Sequence, residues 1–317
     1  MKSIQSNIKK AKKYLDNNHC IAVPTETVYG LAGNAYSDSA VKKIFKLKKR
    51  PMNNPLIVHY YNINKLKEDC YINDNFLKLY SKFSPGPITY VLRLRKNSKI
   101  SKFVSNKKNS LAVRFPKHPL FKKLLKNLKY PLAAPSANIS NRLSSVQASD
   151  VIEEFGSKLK YILNGGKSQI GLESTIINLI KKPTILRFGG LDHLKIEKIL
   201  KKKIYIKTNP NKKIAPGQSF FHYSPGIPLR VNIKKPKKNE AFVLIKKRKN
   251  TLKNYYYLNK KSDLKQSAKN LYSLLRKIKK DGYNMIAIEK IPNEGIGKTI
   301  NDRLSRASKY KTKWRAC

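Results

Sequence analysis

The chain has 317 residues, and its 69 basic and 18 acidic side chains give a formal net charge of +51. A hydrophobic content of 40% indicates a globular protein with a core and excludes a disordered chain. The three cysteines, Cys20, Cys70 and Cys317, are far apart in the sequence, which argues against a disulfide framework and against a zinc site.

The sequence shows no apolar run near the ~18 residues that a membrane-spanning helix needs. Residues 1–15 are basic but lack the apolar stretch of a secretory signal, so we expect them to form the first helix of the protein. A mitochondrial presequence is the alternative for this segment. We therefore expect a cytoplasmic protein that does not enter a membrane.

Lysine accounts for most of the positive charge, because only 12 of the 69 basic residues are arginine. The lysines are spread over the whole chain, whereas a nucleic-acid-binding surface usually gathers arginine and lysine in one patch. This distribution is typical of compositional drift toward AT-rich codons. It predicts a solvated surface that contacts RNA or tRNA weakly and non-specifically, with a dedicated RNA-binding surface as the alternative.

Short apolar runs rich in β-branched residues alternate with segments of helical periodicity, which predicts an α/β fold. The predicted strands cover residues 21–23, 56–60, 88–94, 111–114, 161–163, 175–180 and 184–187. The predicted helices between them include residues 39–48, 120–128 and 148–154.

The alternation then lapses into a stretch of Pro, Gly, Asn and Ser, which indicates a linker. Beyond it, two predicted strands at residues 241–245 and 285–288 flank a predicted helix at 262–279. We therefore expect a first domain of residues 1–206, a linker of residues 207–230 and a small α/β domain of residues 231–317.

Residues 24–31, PTETVYGL, form a polar loop directly after the first strand, at the end where open α/β sheets bind ligands. Further on, Lys48 extends the apolar stripe of the second helix, so its ammonium should face the protein and need an anionic partner. The alternative is that Lys48, Lys49 and Arg50 only complement the dipole of that helix.

Several later strands end in arginine or in hydroxyl residues. Arg114 ends an apolar strand, residues 134–138 place APSAN after another, and Arg187 ends a third. Converging arginines and hydroxyls are what a triphosphate and a carboxylate require. No Ser-His-Asp or Cys-His pattern is recognisable, which argues against covalent catalysis.

Residues 295–299, GIGKT, resemble the end of a P-loop. Pro292 stands where that motif demands glycine, and no strand comes directly before the segment. We therefore predict no Walker-type nucleotide site in the C-terminal part.

Taken together, the ordered motifs resemble the YrdC-like family, and in particular the two-domain threonylcarbamoyl-AMP synthases. The matching stretches are PTETVYGL from residue 24, KKRPMNNPLIVH from 48, SPGPITYVL from 84, AVRFPKHP from 112, PLAAPSAN from 131, GLEST from 171 and LRFGG from 186. Residues from 215 onward are similar to the linker of that family, and residues from 295 to the end of its second domain.

The resemblance implies a twisted mixed sheet with helices around a basic cavity, a small C-terminal Rossmann-like domain, and a linker that folds over the active site. It implies a nucleotidyltransferase that converts L-threonine, bicarbonate and ATP to L-threonylcarbamoyladenylate and pyrophosphate. This is the first step in forming threonylcarbamoyladenosine next to the tRNA anticodon. A separate threonylcarbamoyl-transferase complex would take the product, and Mg²⁺ would enter with ATP.

The resemblance also implies roles for individual residues. Lys48 and Arg50 would be catalytic and face the phosphates. The threonine substrate would contact Thr27, His59, Arg114, Ala134 and Ser174. The nucleotide would contact Arg50, Asn54, Ser110, Ser136, Asn138, Ser144, Arg187 and Tyr223.

The chain departs from the family pattern at a few positions, of which Asn141 and Ser145 most weaken the role of the neighbouring Ser144. Two rival functions remain open from the sequence. One is a YrdC-like module that binds RNA without chemistry. The other is a carbamoyl-transfer factor of the hydrogenase-maturation type, for which this chain has too few cysteines and too little length.

Overall fold

The computed structural model describes residues 2–208, 221–249 and 252–309. The larger of its two sheets is mixed and has nine strands in the order β1-β2-β6-β3-β5-β4-β7-β8-β9. These strands are β1 (Ile21–Val23), β2 (Gly30–Asn34), β3 (Ile57–His59), β4 (Ile88–Arg93), β5 (Ser110–Arg114), β6 (Leu132–Ala133), β7 (Thr175–Asn178), β8 (Thr184–Arg187) and β9 (Tyr205–Ile206). In the centre β3 is parallel to β5 and β4 is parallel to β7, while β4 and β5 are antiparallel.

Eight helices surround this sheet among the described residues: α1 (Lys2–Asp16), α2 (Asp38–Lys48), α3 (Ile63–Asp69), α4 (Asp74–Phe83), α5 (Lys102–Ser105), α6 (Pro119–Lys126), α7 (Ala148–Phe155) and α8 (His193–Leu200). Polar N-cap side chains define where several of them begin. Ser37, Asn62 and Asn73 each accept a hydrogen bond from an amide in the first turn of α2, α3 and α4.

The helices leave part of one sheet face for the functional site. One core cluster packs alternate strand residues against α2, α3, α4 and α7, and includes Val58 and Val113. Because side chains alternate along a strand, His59 and Arg114 point to the opposite face. A small cluster there, of Ile57, Val91, Ala112, Ile176 and Leu186, forms a floor beneath the site.

A second, four-stranded sheet lies in the C-terminal part, and its strand pairs are all parallel. Its strands are β10 (Leu229–Arg230), β11 (Ala241–Lys246), β12 (Tyr255–Asn259) and β13 (Ile286–Ile288), with helices α9 (Leu264–Lys280) and α10 (Ile296–Ser308). A parallel sheet with crossover helices is the Rossmann-like arrangement that was expected. The α/β prediction is therefore confirmed for both sheets.

The two parts share a hydrophobic core. Val28 and Leu172 of the first part belong to one buried cluster with Leu271 and Ile300 of α9 and α10. Gly171 has a φ of +77°, and a Cβ added there would lie 2.6 Å from the Cα of Lys269 on α9. Glycine is therefore needed at this position for α9 to pack against the loop. The predicted boundaries at residues 206 and 230 stay a prediction, and residues 209–220 of the linker lie outside the described residues.

One predicted strand of the first part is not present as a strand in the structure. The predicted strand at residues 161–163 is reduced to one bridge, between Ile162 and Ala22, because β1 offers only three residues and a turn with Gly165 and Gly166 follows. The predicted helix at residues 1–15 is confirmed as α1. Within the described ranges, no helix combines the length and apolar character of a membrane span.

Candidate active site

A cavity opens above the floor of the large sheet and contains about 520 Å³ of empty space, including its mouth. Eight of the residues that the sequence predicted for the site line it together: Arg50, His59, Arg114, Ala134, Ser136, Ser174, Arg187 and Tyr223. These residues come from three strand ends and from the loops between strands. The sheet order brings them together although up to 173 positions separate them in the sequence, from Arg50 to Tyr223.

Three arginines line this cavity, and Arg114 forms an ion pair with the buried carboxylate of Glu26. Arg114 donates from Nη2 to Glu26 Oε1 at 2.7 Å, and its buried Nε finds no partner among the described residues. Arg50 donates to the carbonyls of Asn54 and Pro55, at 3.0 and 2.9 Å. A buried excess of positive charge favours an anionic ligand.

Arg187 is anchored to the strand beside it. Its Nε and Nη2 donate to the carbonyl of Ser174, at 3.1 and 2.9 Å, and Nη2 also donates to Ser174 Oγ at 3.2 Å. Ser174 Oγ lies 2.7 Å from Thr89 Oγ1. Burial lowers the pKa of Arg50, and the neighbouring charge of Arg187 lowers that pKa further. The two guanidinium charges therefore repel one another, and this repulsion favours a bound anion near them.

Lys48 lies behind the cavity wall. Its ammonium donates to the carbonyls of Ser136 and Asn138, so carbonyl oxygens take the place of the anionic partner that the sequence predicted. Burial, and then the charge of Arg50, hold the pKa of Lys48 well below its usual range. Lys48 thus fixes the loop that presents Ser136, and its contact with phosphate stays a prediction.

Of the residues predicted to contact threonine, four line the cavity and Thr27 lies behind the lining. His59 is 2% exposed, and its Nδ1 has no partner within the described chain. Burial, and then the charge of Arg114, lower the pKa of His59 well below its usual range, so the imidazole is neutral at neutral pH. Thr27 does not line the cavity; its hydroxyl lies 2.8 Å from that of Thr25, which does.

Four residues predicted for the nucleotide lie outside the lining: Asn54, Ser110, Asn138 and Ser144. Asn138 donates to the carbonyls of Ile139 and Arg142, which fixes its own loop. Ser110 begins β5 and Arg114 ends it, so the two side chains lie about 13 Å apart along the strand. The nucleotide-binding role of all four residues stays a prediction.

Two important residues of the lining were missed, Glu173 and His222. Glu173 lies inside the GLEST stretch and His222 lies directly before Tyr223. Both therefore belong to motifs that the resemblance already marked, and their position in those motifs would have predicted a place in the site. Burial alone would raise the pKa of Glu173, but the charges of Arg303 and Arg187 outweigh burial and lower that pKa to about 2. Glu173 is therefore a carboxylate at any physiological pH.

Comparison with known proteins agrees with this geometry. The family described as Telomere recombination, which unites Sua5, YciO and YrdC, matches residues 13–189. The chain belongs to this family. A second family, described as the C-terminal domain of threonylcarbamoyl-AMP synthase, matches residues 192–309.

Relatives that match along nearly the whole chain carry one description. The threonylcarbamoyl-AMP synthase of Pyrococcus abyssi is 34% identical, over 96% of this chain and 94% of its own length. The threonylcarbamoyl-AMP synthase of Bacillus subtilis is 32% identical, over 95% of this chain and 92% of its own length. The crystal structure of P. abyssi Sua5 complexed with L-threonine superposes with a TM-score of 0.88, at 32% identity, over 96% of this chain and 94% of that one.

Proposed function

We propose that the chain is a threonylcarbamoyl-AMP synthase, a nucleotidyltransferase that makes L-threonylcarbamoyladenylate for the first step of tRNA threonylcarbamoyladenosine formation. Its substrates are L-threonine, bicarbonate and ATP: the amine of threonine and bicarbonate form a carbamate with loss of water, and a carbamate oxygen then displaces pyrophosphate from the α-phosphate. The observation that carries the proposal is the arginine-rich cavity, in a chain whose full-length relatives have this activity. Such a cavity suits a reaction that joins a carboxylate to a phosphate.

At one end of the cavity, Arg114 binds the carboxylate of threonine. Glu26 supports this role because it takes one guanidinium nitrogen and leaves the unpartnered Nε to face another acceptor. Neutral His59 and the hydroxyl of Thr25 or Ser174 contact the rest of the amino acid. The relative from P. abyssi was crystallised with L-threonine, which supports the same ligand here.

At the other end, Arg50 and Arg187 bind the phosphates, and Ser136 and Tyr223 contact the nucleotide. The repulsion between the two arginines is relieved most when negative charge increases on the α-phosphate, so their effect is largest in the transition state. The cavity also excludes water from the carboxylated amine of threonine. The protein supplies position and electrostatics, without a nucleophile of its own.

Mg²⁺ enters as the counterion of ATP. This assignment rests on the triphosphate, and among the residues whose placement is described there is no cluster of His, Cys, Asp or Glu that could hold a metal ion. We further propose that the protein acts in the cytoplasm. A threonylcarbamoyl-transferase complex takes the product there, because a mixed carbamic–phosphoric anhydride is hydrolysed quickly if it is released into water.

The proposal is tested by following pyrophosphate release from Mg-ATP. We expect release only when threonine and bicarbonate are both present, because the carboxylated amine is the nucleophile. Reactions in degassed, bicarbonate-free buffer and reactions without threonine are the controls, and serine in place of threonine measures selectivity. Pyrophosphate release at the same rate without threonine would refute the proposed function.

A further inference from the structure

The C-terminal domain reaches the wall of the cavity through one buried arginine. Arg303 lies on α10 and is 1% exposed. Its Nε donates to Glu173 Oε2 at 2.8 Å and its Nη2 donates to the carbonyl of Phe188 at 2.7 Å. Its Nη1 donates to Asp302 on the same helix. Two of its three nitrogens, Nε and Nη2, therefore make contacts that cross from one domain to the other.

Tyr272 of α9 completes this contact. Its hydroxyl lies 3.2 Å from both carboxylate oxygens of Glu173, and Ser144 Oγ donates to Oε1 of the same carboxylate at 2.5 Å. Among the described residues, Arg303 and Tyr272 of the C-terminal domain and Ser144 of the first part thus donate to Glu173. Glu173 itself lines the cavity and precedes Ser174, on which Arg187 is anchored.

The same two residues pack on Tyr223. The guanidinium carbon of Arg303 lies 4.7 Å from the centroid of the Tyr223 ring, and the Tyr272 ring is stacked on it at 6.0 Å and 14°. Tyr223 has a φ of 63°, a left-handed conformation that is strained for a large side chain. Such strain persists only where the surroundings hold it, and here Arg303 and Tyr272 do so.

This packing buries Tyr223 and, within the described part of the chain, leaves its hydroxyl without a partner beside the cavity. Tyr223 is 1% exposed and lines the cavity, and its hydroxyl has no hydrogen-bond partner among the described residues. Arg50 and Arg187 are close neighbours of this hydroxyl. A buried hydroxyl without a partner can donate a hydrogen bond to a ligand bound there.

We infer that Arg303 is a positioning residue of the active site, through which the C-terminal domain holds Tyr223 and Glu173 in the geometry that binds the nucleotide. The inference rests on the proposed function, since the nucleotide is the ligand that it concerns. It gives the C-terminal domain a role in catalysis without placing any of its atoms against the substrate.

The test compares Arg303→Met with Arg276→Met. Arg276 of α9 is a matched control because its side chain, 9% exposed, also lies between the domains, where it donates to Glu154 and to the carbonyl of Leu143. We expect Arg303→Met to lower kcat/KM for ATP by up to about 100-fold, the scale on which small misplacements act. Arg276→Met should lower stability and leave kcat/KM of the folded enzyme within about twofold of wild type.

A pH profile separates positioning from a general loss of structure. Glu173 has a lowered pKa and is ionised in the wild type, so kcat/KM should show no acidic limb from it. Without Arg303 the desolvated carboxyl loses its strongest cationic neighbour and its pKa rises, so kcat/KM of Arg303→Met should fall as the pH is lowered. The other titratable or charged groups around Glu173 are Arg187, His222, Tyr223 and Tyr272.

Two milder variants decide the question if Arg303→Met does not fold. Arg303→Lys keeps the charge and should restore the flat pH profile while recovering only part of kcat/KM, because an ammonium lacks the guanidinium fork. Tyr272→Phe removes one donor to Glu173 and should give a smaller loss. The inference is overturned if Arg303→Met, Arg303→Lys and Tyr272→Phe all show the same kcat/KM for ATP and the same pH profile as Arg276→Met. Wild-type protein without threonine-dependent pyrophosphate release would instead refute the proposed function itself.

Discussion

Arg114, which lines the cavity, forms a buried ion pair with Glu26, and the two side chains are 5% and 4% exposed. Glu26 Oε2 also accepts the amide of Lys117 at 3.0 Å, so both carboxylate oxygens are engaged. Arg114 was predictable because an arginine that ends an apolar strand needs an anion. Its protein partner was not, because Glu26 lies 88 residues earlier and only the sheet order brings the two together.

A substitution of Arg114 tests its contact with threonine. We expect Arg114→Ala to lower kcat/KM for threonine by about 30- to 1000-fold, or roughly 2–4 kcal/mol, because a charge-assisted contact is lost. Arg114→Lys should recover part of that loss, since an ammonium does not reproduce the fork. Steady-state kinetics with threonine and with ATP as the varied substrate would check this, with exposed Lys203→Ala as the control.

The loss of Arg114 also leaves the Glu26 carboxylate buried without its cation, so stability must be separated from binding. The double variant Arg114→Ala with Glu26→Gln removes that buried charge. It should regain stability in thermal unfolding and still show the high KM for threonine. If the double variant regains threonine kinetics as well, Arg114 acts only through folding.

At the scale of elements, prediction succeeded where the apolar pattern was strong. Predicted residues 111–114 correspond to β5 and 184–187 to β8, because buried strands are continuous apolar runs. β2 was missed because Gly30 and Gly33 give no side-chain alternation; they lie where an added Cβ would come 3.3 Å from Ala134 and 3.2 Å from Ile44. Lys48 was placed correctly in the second helix, whereas the predicted strand at 111–114 left out Ser110, which begins β5. The positions of both side chains relative to the cavity depend on loops that periodicity does not describe.

The C-terminus of α8 offers a prediction about stability. Lys201 ends this helix with φ of 51° and ψ of 36°, a left-handed conformation that favours glycine. Lys201→Gly should raise the free energy of unfolding by about 0.5–1 kcal/mol, because removing a strained Cβ gains more than the added freedom of the unfolded chain costs. Chemical denaturation would measure the change.

Lys201→Ala is the matched control for that prediction. It removes the same exposed charge but keeps the Cβ, so its free energy of unfolding should stay near that of wild type. Equal stabilisation by glycine and by alanine would mean that charge, and not backbone conformation, limits this end of the helix.

At the scale of the whole molecule, three carboxylates of the first part pair with cations of the C-terminal part. Glu154 pairs with Arg276, Glu153 pairs with Lys280, and Glu173 pairs with Arg303. With 18 acidic residues against 69 basic ones, the rest of the surface has little negative charge with which to balance its lysines. The net charge follows from the composition, and the structure adds that Glu154 and Glu173, with side chains 3% and 6% exposed, are buried in ion pairs and do not offset the surface lysines.

This charge distribution leads to a prediction about RNA. Lysines spread over the surface attract any polyanion through counterion release, so affinity should not depend on the sequence or fold of the RNA. We expect tRNA and polyuridylate to bind alike, with a Kd on the order of 10⁻⁴–10⁻⁶ M at physiological salt, as for non-specific binding in general. Fluorescence anisotropy across a series of salt concentrations should give a steep, linear fall of log K with log salt.

The alternative, a dedicated RNA-binding surface, predicts a different result. A surface shaped for one tRNA would bind it about 10³-fold or more tightly than polyuridylate, and would keep that preference as salt weakens both complexes. It would also make the loss of affinity depend on a few lysines, whereas a diffuse excess loses little with any single substitution. A preference of that size at physiological salt would show that the lysine excess serves tRNA recognition, and that the product is made next to the RNA that receives it.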